Sequence, residues 1–171
     1  MLAYVTLPDT PGAADRLLAD IAETLAADGL RLAGAVQTNL DRGADCSCDM
    51  DLTVLGDDGP PIRISQSLGN GSSGCRVDGG ALAVAAGRAA VVLDRGADLV
   101  IVNKFGKIEA EGGGFRDLIA GALADGIPVL VAVAARFAGP FANFAGDLAR
   151  PVAPDAALDW CRQAAALRAA A

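Results

Sequence analysis

The sequence predicts a three-layer α/β fold: a mainly parallel sheet with helices on both faces and an inserted β-hairpin. Three observations point to it. Leu99, Val100, Ile101 and Val102 form an unbroken apolar run, the pattern of a strand buried on both faces in the middle of a parallel sheet. Such runs alternate along the chain with stretches whose apolar residues recur at helical spacing, as a doubly covered sheet requires. Gly56-Asp57-Asp58-Gly59, set between two short extended runs, is a strong hairpin turn signal.

Taken in order, Leu2–Leu7 reads as the first buried strand. A turn, P-D-T-P-G, leads into a helix over Arg16–Ala27, with Leu17, Leu18, Ile21, Leu25 and Ala26 on its apolar side and Gly29 as C-cap. Leu32–Thr38 is the second strand. Met50–Leu55 and Ile62–Ser65 form the inserted hairpin. Asp78 is placed to cap a helix over Ala81–Gly96, whose buried face holds Leu82, Ala85, Ala89, Val92 and Leu93. After the Leu99–Val102 strand the polarity changes at Asn103, Lys104, Gly106 and Lys107, which read as a loop past the strand's carboxyl end. Gly112–Gly114 break the chain before a helix over Phe115–Ala124 that closes at Gly126. Ile127–Val133 is another buried strand, with Pro128 at its start, where it costs least. Arg136–Gly146, carrying Phe137, Phe141 and Phe144, reads as a short helix or a lid over the strand ends. Leu148–Val152 is a short last strand. Pro154–Ala166 is a C-terminal helix with Leu158, Trp160, Cys161 and Leu167 packing inward. There is no internal repeat and no dividing linker, so residues 1–171 read as one domain.

Composition narrows the function. A net charge of −7 argues against nucleic acid as a general partner, because phosphate backbones select basic surfaces. The chain has no histidine, which removes Ser-His and Cys-His catalytic pairs and the commonest metal ligand. Met1–Leu7 is too short for the apolar core of a signal peptide, and no apolar run approaches the roughly 20 residues of a membrane helix. The expectation is a cytoplasmic protein without membrane insertion. Its four cysteines then read as reduced thiols. The Ala-rich helices over Ala81–Ala97 and Pro154–Ala171 have smooth faces suited to homo-oligomer packing or to packing on their own sheet.

Three stretches carry candidate chemistry. The strand–turn–helix at the N-terminus is where a phosphate-binding loop, G-x-x-x-x-G-K-[ST], would sit. Here Leu7 stands at the first glycine, Gly12 keeps the second, and Ala13 and Ala14 replace the lysine and the hydroxyl. The helix N-terminus still offers free N–H groups, while Asp9 and Asp15 oppose an anion. The second stretch, Ser65–Asp78, reads S-Q-S-L-G-N-G-S-S-G-C-R-V-D. Its glycines, Gly69, Gly71 and Gly74, permit inward-turned N–H groups. Gln66, Ser72, Ser73 and Arg76, with Cys75 in the glycine run, add donors suited to a tetrahedral oxyanion. A flexible connector is the alternative. The third is C-x-C at Cys46 and Cys48. With Cys75 it could form a soft-metal site, although a closed zinc site wants four ligands; half-buried structural thiols are the favoured reading, and thiols lining a ligand pocket the third.

V-I-V-N-K-F-G-K-I-E followed by G-F-R, over Val100–Arg116, resembles the Walker B segment of the small P-loop nucleoside-triphosphatases of thermophile type, close to I-x-D-E-I-G-K-M-E and then F-R. Gly106, Lys107, Glu109, Phe115 and Arg116 match. Asn103 stands where that family has the magnesium-organising Asp, and Lys104 where it has the catalytic Glu. The chain also resembles a bacterial family of uncharacterised domains related to those enzymes. Members of that family carry N-K-F-G-K and often sit beside molybdate-transport functions. The likeness runs from residue 2 to about residue 160. It implies a P-loop-like fold with degenerate Walker motifs.

Two loops and the N-terminal turn are expected to converge at the carboxyl edge. The predicted ligand-binding set is Gln66, Gly71, Ser72, Ser73, Gly74, Cys75, Arg76, Asn103, Lys104 and Lys107. The first functional expectation is a catalytically silent protein that binds a small oxyanion. The resemblance suggests molybdate or tungstate, in molybdenum or tungsten homeostasis. The second is a nucleotide hydrolase with relocated groups: Glu109 or Glu111 positioning water, and Lys104 or Lys107 replacing the P-loop lysine. The third is a metal-binding or redox module on Cys46, Cys48 and Cys75.

Overall fold

The computed structural model describes residues 1–8, 10–40, 49–66 and 77–170. Its strands are β1 (Leu2–Val5), β2 (Leu32–Leu40), β3 (Asp49–Val54), β4 (Ile62–Arg63), β5 (Leu99–Phe105), β6 (Val129–Val133) and β7 (Ala149–Pro151). Its helices are α1 (Ala13–Ala27), α2 (Gly79–Asp94), α3 (Lys107–Ala110), α4 (Arg116–Ala124), α5 (Ala138–Ala145) and α6 (Ala157–Ala169). The strands form one mixed sheet in the order β4-β3-β2-β5-β6-β1-β7. Neighbours from β2 to β7 run parallel, while β3 and β4 pair antiparallel as the inserted hairpin. The α/β class and the hairpin are as the sequence predicts.

The sheet separates two apolar layers. Along β5, Val100 and Val102 face a layer with Leu82, Ala85 and Ala89 of α2. Leu99 and Ile101 face the other layer, with Leu18, Ile21 and Leu25 of α1 and Cys161 of α6. Both sides are needed because every residue from Leu99 to Val102 is fully buried. Burying each such side chain contributes roughly 1.5–3 kcal/mol. All five residues predicted for the buried face of α2 are buried. Asp78 caps that helix by accepting hydrogen bonds from the Gly80 and Ala81 N–H groups at 2.8 and 3.1 Å.

Several boundaries differ from the sequence reading. The first strand stops at Val5, whose partner on β6 is Ala132, and α1 starts at Ala13 rather than Arg16. Asn103 and Lys104 belong to β5, not to a loop. Burial still alternates there (Asn103 in, Lys104 out, Phe105 in) because Phe105 re-pairs with Val133 after a register shift. Lys107–Ala110 then forms a helical turn. Ser65 leaves β4 and bridges Val77 instead. On α6, Leu167 is 64% exposed rather than inward. Arg136–Gly146 carries α5, anchored by Phe141 against Tyr4 and Phe105, each with ring centroids 5.2 Å away. Among the described residues no helix is long and apolar enough to cross a membrane.

Candidate functional site

Because β1, β2, β5 and β6 are parallel, their carboxyl ends meet at one edge, where open α/β sheets bind ligands. At that edge Gly12, with φ of 72°, turns the chain from β1 into α1. The first turn of α1 places Asp15 over the sheet, 8% exposed. One carboxylate oxygen, Oδ1, accepts from Asn103 Nδ2 at 2.7 Å, and Lys104 Nζ stands 3.8 Å from it. The other, Oδ2, accepts from Asn39 Nδ2 at 2.5 Å and Gln37 Nε2 at 3.3 Å. The network closes on itself: Gln37 Nε2 also donates to Asn39 Oδ1 at 2.7 Å, and the Gln37 N–H donates to Asn103 Oδ1 at 3.0 Å. Gln37 Oε1 is buried and has no hydrogen-bond partner among the described residues.

Two hollows lie at this edge, and Lys104 lines both. The first, about 150 Å³, runs between the β1–α1 turn and the end of β6, bordered by Thr10, Gly12, Asp15, Ala134 and Arg136. The second, about 70 Å³, lies between the hairpin, α2 and α3, bordered by Gln37, Leu52, Ile64, Lys107 and Phe115. Asn103, Lys104 and Lys107, three of the predicted residues, line the smaller hollow together with Ile64 and Val77, and Lys104 also reaches the larger one at the N-terminal turn.

Four of the ten predicted residues lie among the described ones. Asn103 is 2% exposed and has both polar ends engaged by Asp15 and Gln37. The Lys104 side chain is 46% exposed. The Lys107 side chain is 62% exposed, with its Nζ 3.8 Å from Glu111 Oε1 one turn on. Gln66 is exposed, and its Nε2 donates to the Val77 carbonyl at 3.4 Å. Gly71, Ser72, Ser73, Gly74, Cys75 and Arg76 lie outside the described residues, as do Asp9, Cys46 and Cys48. Among the described residues no group of three or more acidic or cysteine side chains could hold a metal ion. Cys161 is buried in the core, and burial pushes its thiol pKa up to about 12, which removes it as a reactive thiolate.

One expected role is corrected. Glu109, offered as a water-positioning carboxylate, is 4% exposed and is used structurally. Its two oxygens accept the Gly106 N–H at 2.9 Å and the Phe115 N–H at 3.2 Å, pinning both ends of the α3 segment. Gly114, with φ of 59°, is required beside it, because a Cβ there would overlap Glu109 Oε1.

Asp15, Gln37, Asn39 and Arg136 were not among the predicted site residues. Gln37 and Arg136 had a usable signal: each is polar and sits at or just past the carboxyl end of an apolar strand. Asp15 reads locally as an ordinary first-turn acid.

Comparisons with known proteins agree with this architecture. The fold matches the crystal structure of THEP1 from the hyperthermophile Aquifex aeolicus with a TM-score of 0.62 and 18% sequence identity, covering 95% of this chain and 96% of that one. The expected relation to thermophile-type P-loop nucleoside-triphosphatases therefore holds at the level of fold. The molybdenum import ATP-binding protein ModC 2 of Bradyrhizobium diazoefficiens is 41% identical over 134 residues. That match takes in 78% of this chain but spans 15% of the length of ModC 2. The profile of DUF2478, described as a protein of unknown function, matches residues 2–160. The chain belongs to the DUF2478 family.

Proposed function

We propose that this domain binds a small tetrahedral oxyanion, molybdate or tungstate, without hydrolysing nucleotide, and serves in molybdenum or tungsten homeostasis. Asp15 carries the non-hydrolytic half of the reading. A magnesium nucleotide needs a lysine and a hydroxyl at the N-terminal turn, and Ala13 and Ala14 provide neither. In their place the turn presents a buried carboxylate, held 2.7 Å from the Asn103 amide and 3.8 Å from the Lys104 ammonium. That carboxylate repels a triphosphate where its negative oxygens would lie. These replacements favour a ligand other than a magnesium nucleotide at this turn. Of the two carboxylates named for a relocated hydrolase, Glu109 spends both oxygens on backbone N–H groups, whereas Glu111 is 63% exposed beside Lys107.

The ligand half is supported by the likeness to a protein named for molybdenum import and by the cations at the edge. Lys104 and Arg136 border the larger hollow, and Lys104 and Lys107 border the smaller one. Charge-assisted donors of this kind suit an oxyanion.

Thermal unfolding with molybdate, tungstate, sulfate, phosphate, Mg-ATP and Mg-GTP tests the proposal. At about 100 times its Kd, a ligand selective for the folded state stabilises by roughly 2.7 kcal/mol. For a chain of this size that raises Tm by about 5–10 °C. The expected result is a rise with molybdate or tungstate and none with either nucleotide. A rise with Mg-ATP or Mg-GTP alone, or magnesium-dependent phosphate release, would overturn the proposal.

A further inference from the structure

The amino edge of the sheet, opposite the candidate site, carries a different surface. β2 and β5 begin there at Leu32 and Leu99, and α1, α2 and α6 end there at Ala27, Asp94 and Ala169. Two hollows meet at this edge. One, of about 370 Å³, is lined by Leu55 at the end of the hairpin strand β3, by Val92 of α2, and by Arg31 and Arg95. The other, of about 450 Å³, is lined by Asp28, Asp98, Arg162 and Arg168. Leu30 lines both, so they form one groove across the edge. Leu30 and Leu55 are half-buried and give the groove an apolar floor. Four arginines and two aspartates line it, in a chain whose net charge is −7. Both aspartates are taken: Arg31 donates to Asp98 at 2.7 Å and Arg162 to Asp28 at 2.8 Å. Arg95 and Arg168 are the surplus, because the acid near each is already held by another arginine. Arg88 hydrogen-bonds Asp57 and keeps its carboxyl below the ordinary range, and Arg95 adds only charge. Arg31 does the same for Asp98, and Arg168 adds only charge. Helix carboxyl ends draw cations and account for where these two arginines stand. They do not supply a carboxylate for the guanidinium forks.

We infer that this groove docks a short acidic segment of a partner protein, which sets an apolar side chain on Leu30 and Leu55 and a carboxylate on each of Arg95 and Arg168. A guanidinium fork binds a carboxylate through two parallel N–H bonds, and arginine is enriched among the residues that carry interface energy. α2 and α6 pack on opposite faces of the sheet, so Arg95 and Arg168 stand on either side of its edge. A segment crossing that edge reaches both, where a compact anion reaches one. The groove is concave, and a flat membrane surface does not fill it. The inference does not depend on the oxyanion reading, whose residues lie at the other edge.

The test uses the full chain and a phage-displayed library of random twelve-residue peptides. Selection should enrich peptides that carry Asp or Glu on both sides of a Leu or Phe. Synthetic copies should shift the amide NMR signals of Leu30, Gly56 and Gly96 saturably. They should bind the double variant Arg95→Gln, Arg168→Gln about tenfold or more weakly than wild type. Each single variant should show part of that loss with an unchanged circular dichroism spectrum, and Arg150→Gln, on β7, should bind as wild type does. Raising salt from about 50 to 300 mM should weaken binding several-fold. No enrichment, enriched peptides without acids, or peptides that bind the double variant as tightly as wild type would overturn the inference. Sodium sulfate shifting the same amides at the same concentrations as the peptides would do so too, since the groove would then hold an anion only. Self-association of the chain in sedimentation that the double variant loses would give the groove to a second copy. Binding to phosphatidylserine vesicles that the double variant loses, with no peptide enriched, would give it to a lipid surface. Either result overturns the peptide assignment.

Discussion

Replacing Asp15 by alanine tests the network at the edge of the sheet most directly. Its carboxylate accepts three side-chain N–H groups, from Asn103, Asn39 and Gln37. After the substitution Gln37 Nε2 keeps Asn39 Oδ1 at 2.7 Å, and Asn39, which is partly exposed, can turn to water. Asn103 is 2% exposed and its Nδ2 is left without a partner. Orphaning that donor costs about 1–3 kcal/mol, and the second lost bond adds about 0.5–1.5 kcal/mol. Losing an acid from the first turn of α1 adds a few tenths of a kcal/mol. The expected loss is about 2–4 kcal/mol, or roughly 5–15 °C in Tm for a domain of this size. Calorimetric unfolding of Asp15→Ala, Asn103→Ala and the double variant measures it, with exposed Asp20→Ala as a control expected within about 0.5 kcal/mol of wild type. The coupling between Asp15 and Asn103 should reach about 1 kcal/mol. A single-variant loss below about 1 °C, or strict additivity in the double variant, would refute the reasoning. Asp15→Ala also removes a negative charge beside the α1 N-terminus, so inorganic phosphate should bind this variant more tightly than wild type.

Two further outcomes follow from the structure. Gly114→Ala forces both a left-handed backbone and a collision with Glu109, so it should lose about 2–4 kcal/mol; Gly112→Ala, at φ of 97° with no atom near its added Cβ, should lose about 1–2 kcal/mol, and equal losses in urea titrations would mean that the Glu109 contact contributes nothing. The Arg31 guanidinium, together with the Arg31 backbone N–H, holds the Asp98 carboxyl below its ordinary range. Because the folded-state value is the lower one, the contribution is present above the unfolded value near about 3.9 and is lost as pH falls through the folded one. The stability gap between wild type and Asp98→Asn should therefore stay level from about pH 7 to pH 5 and shrink below about pH 4; a gap that widens in acid would contradict this assignment.

Much of the fold was legible because its signals are local. Four consecutive apolar residues in β5 can be satisfied only by burial on both faces. The spacing of Leu82, Ala85, Ala89, Val92 and Leu93 defines one side of a helix, and Asp78 before Gly79 marks its start. The misjudged boundaries lie where pairing partners decide the outcome. Asn103 looks like the end of a strand because it is polar. It stays in β5 because Phe105 finds Val133 on β6 two residues later. The role of Glu109 was misjudged for a related reason. A motif position suggests chemistry, but the N–H groups of Gly106 and Phe115 had already claimed both oxygens.

The residues of the chain are enough to establish the alternating α/β architecture and the hairpin. They also show that alanines, Ala13 and Ala14, follow the N-terminal turn, since periodicity, turn chemistry and side-chain inventory are carried in neighbouring positions. The state of the edge comes from strand order. Asp15 and Asn103 are 88 residues apart in the chain and 2.7 Å apart in space, and no local pattern encodes that meeting. The sheet brings the end of β5 beneath the first turn of α1. That placement turns an ordinary first-turn acid into the centre of a buried network and sets Asn103, Lys104 and Lys107 on the lining of one hollow.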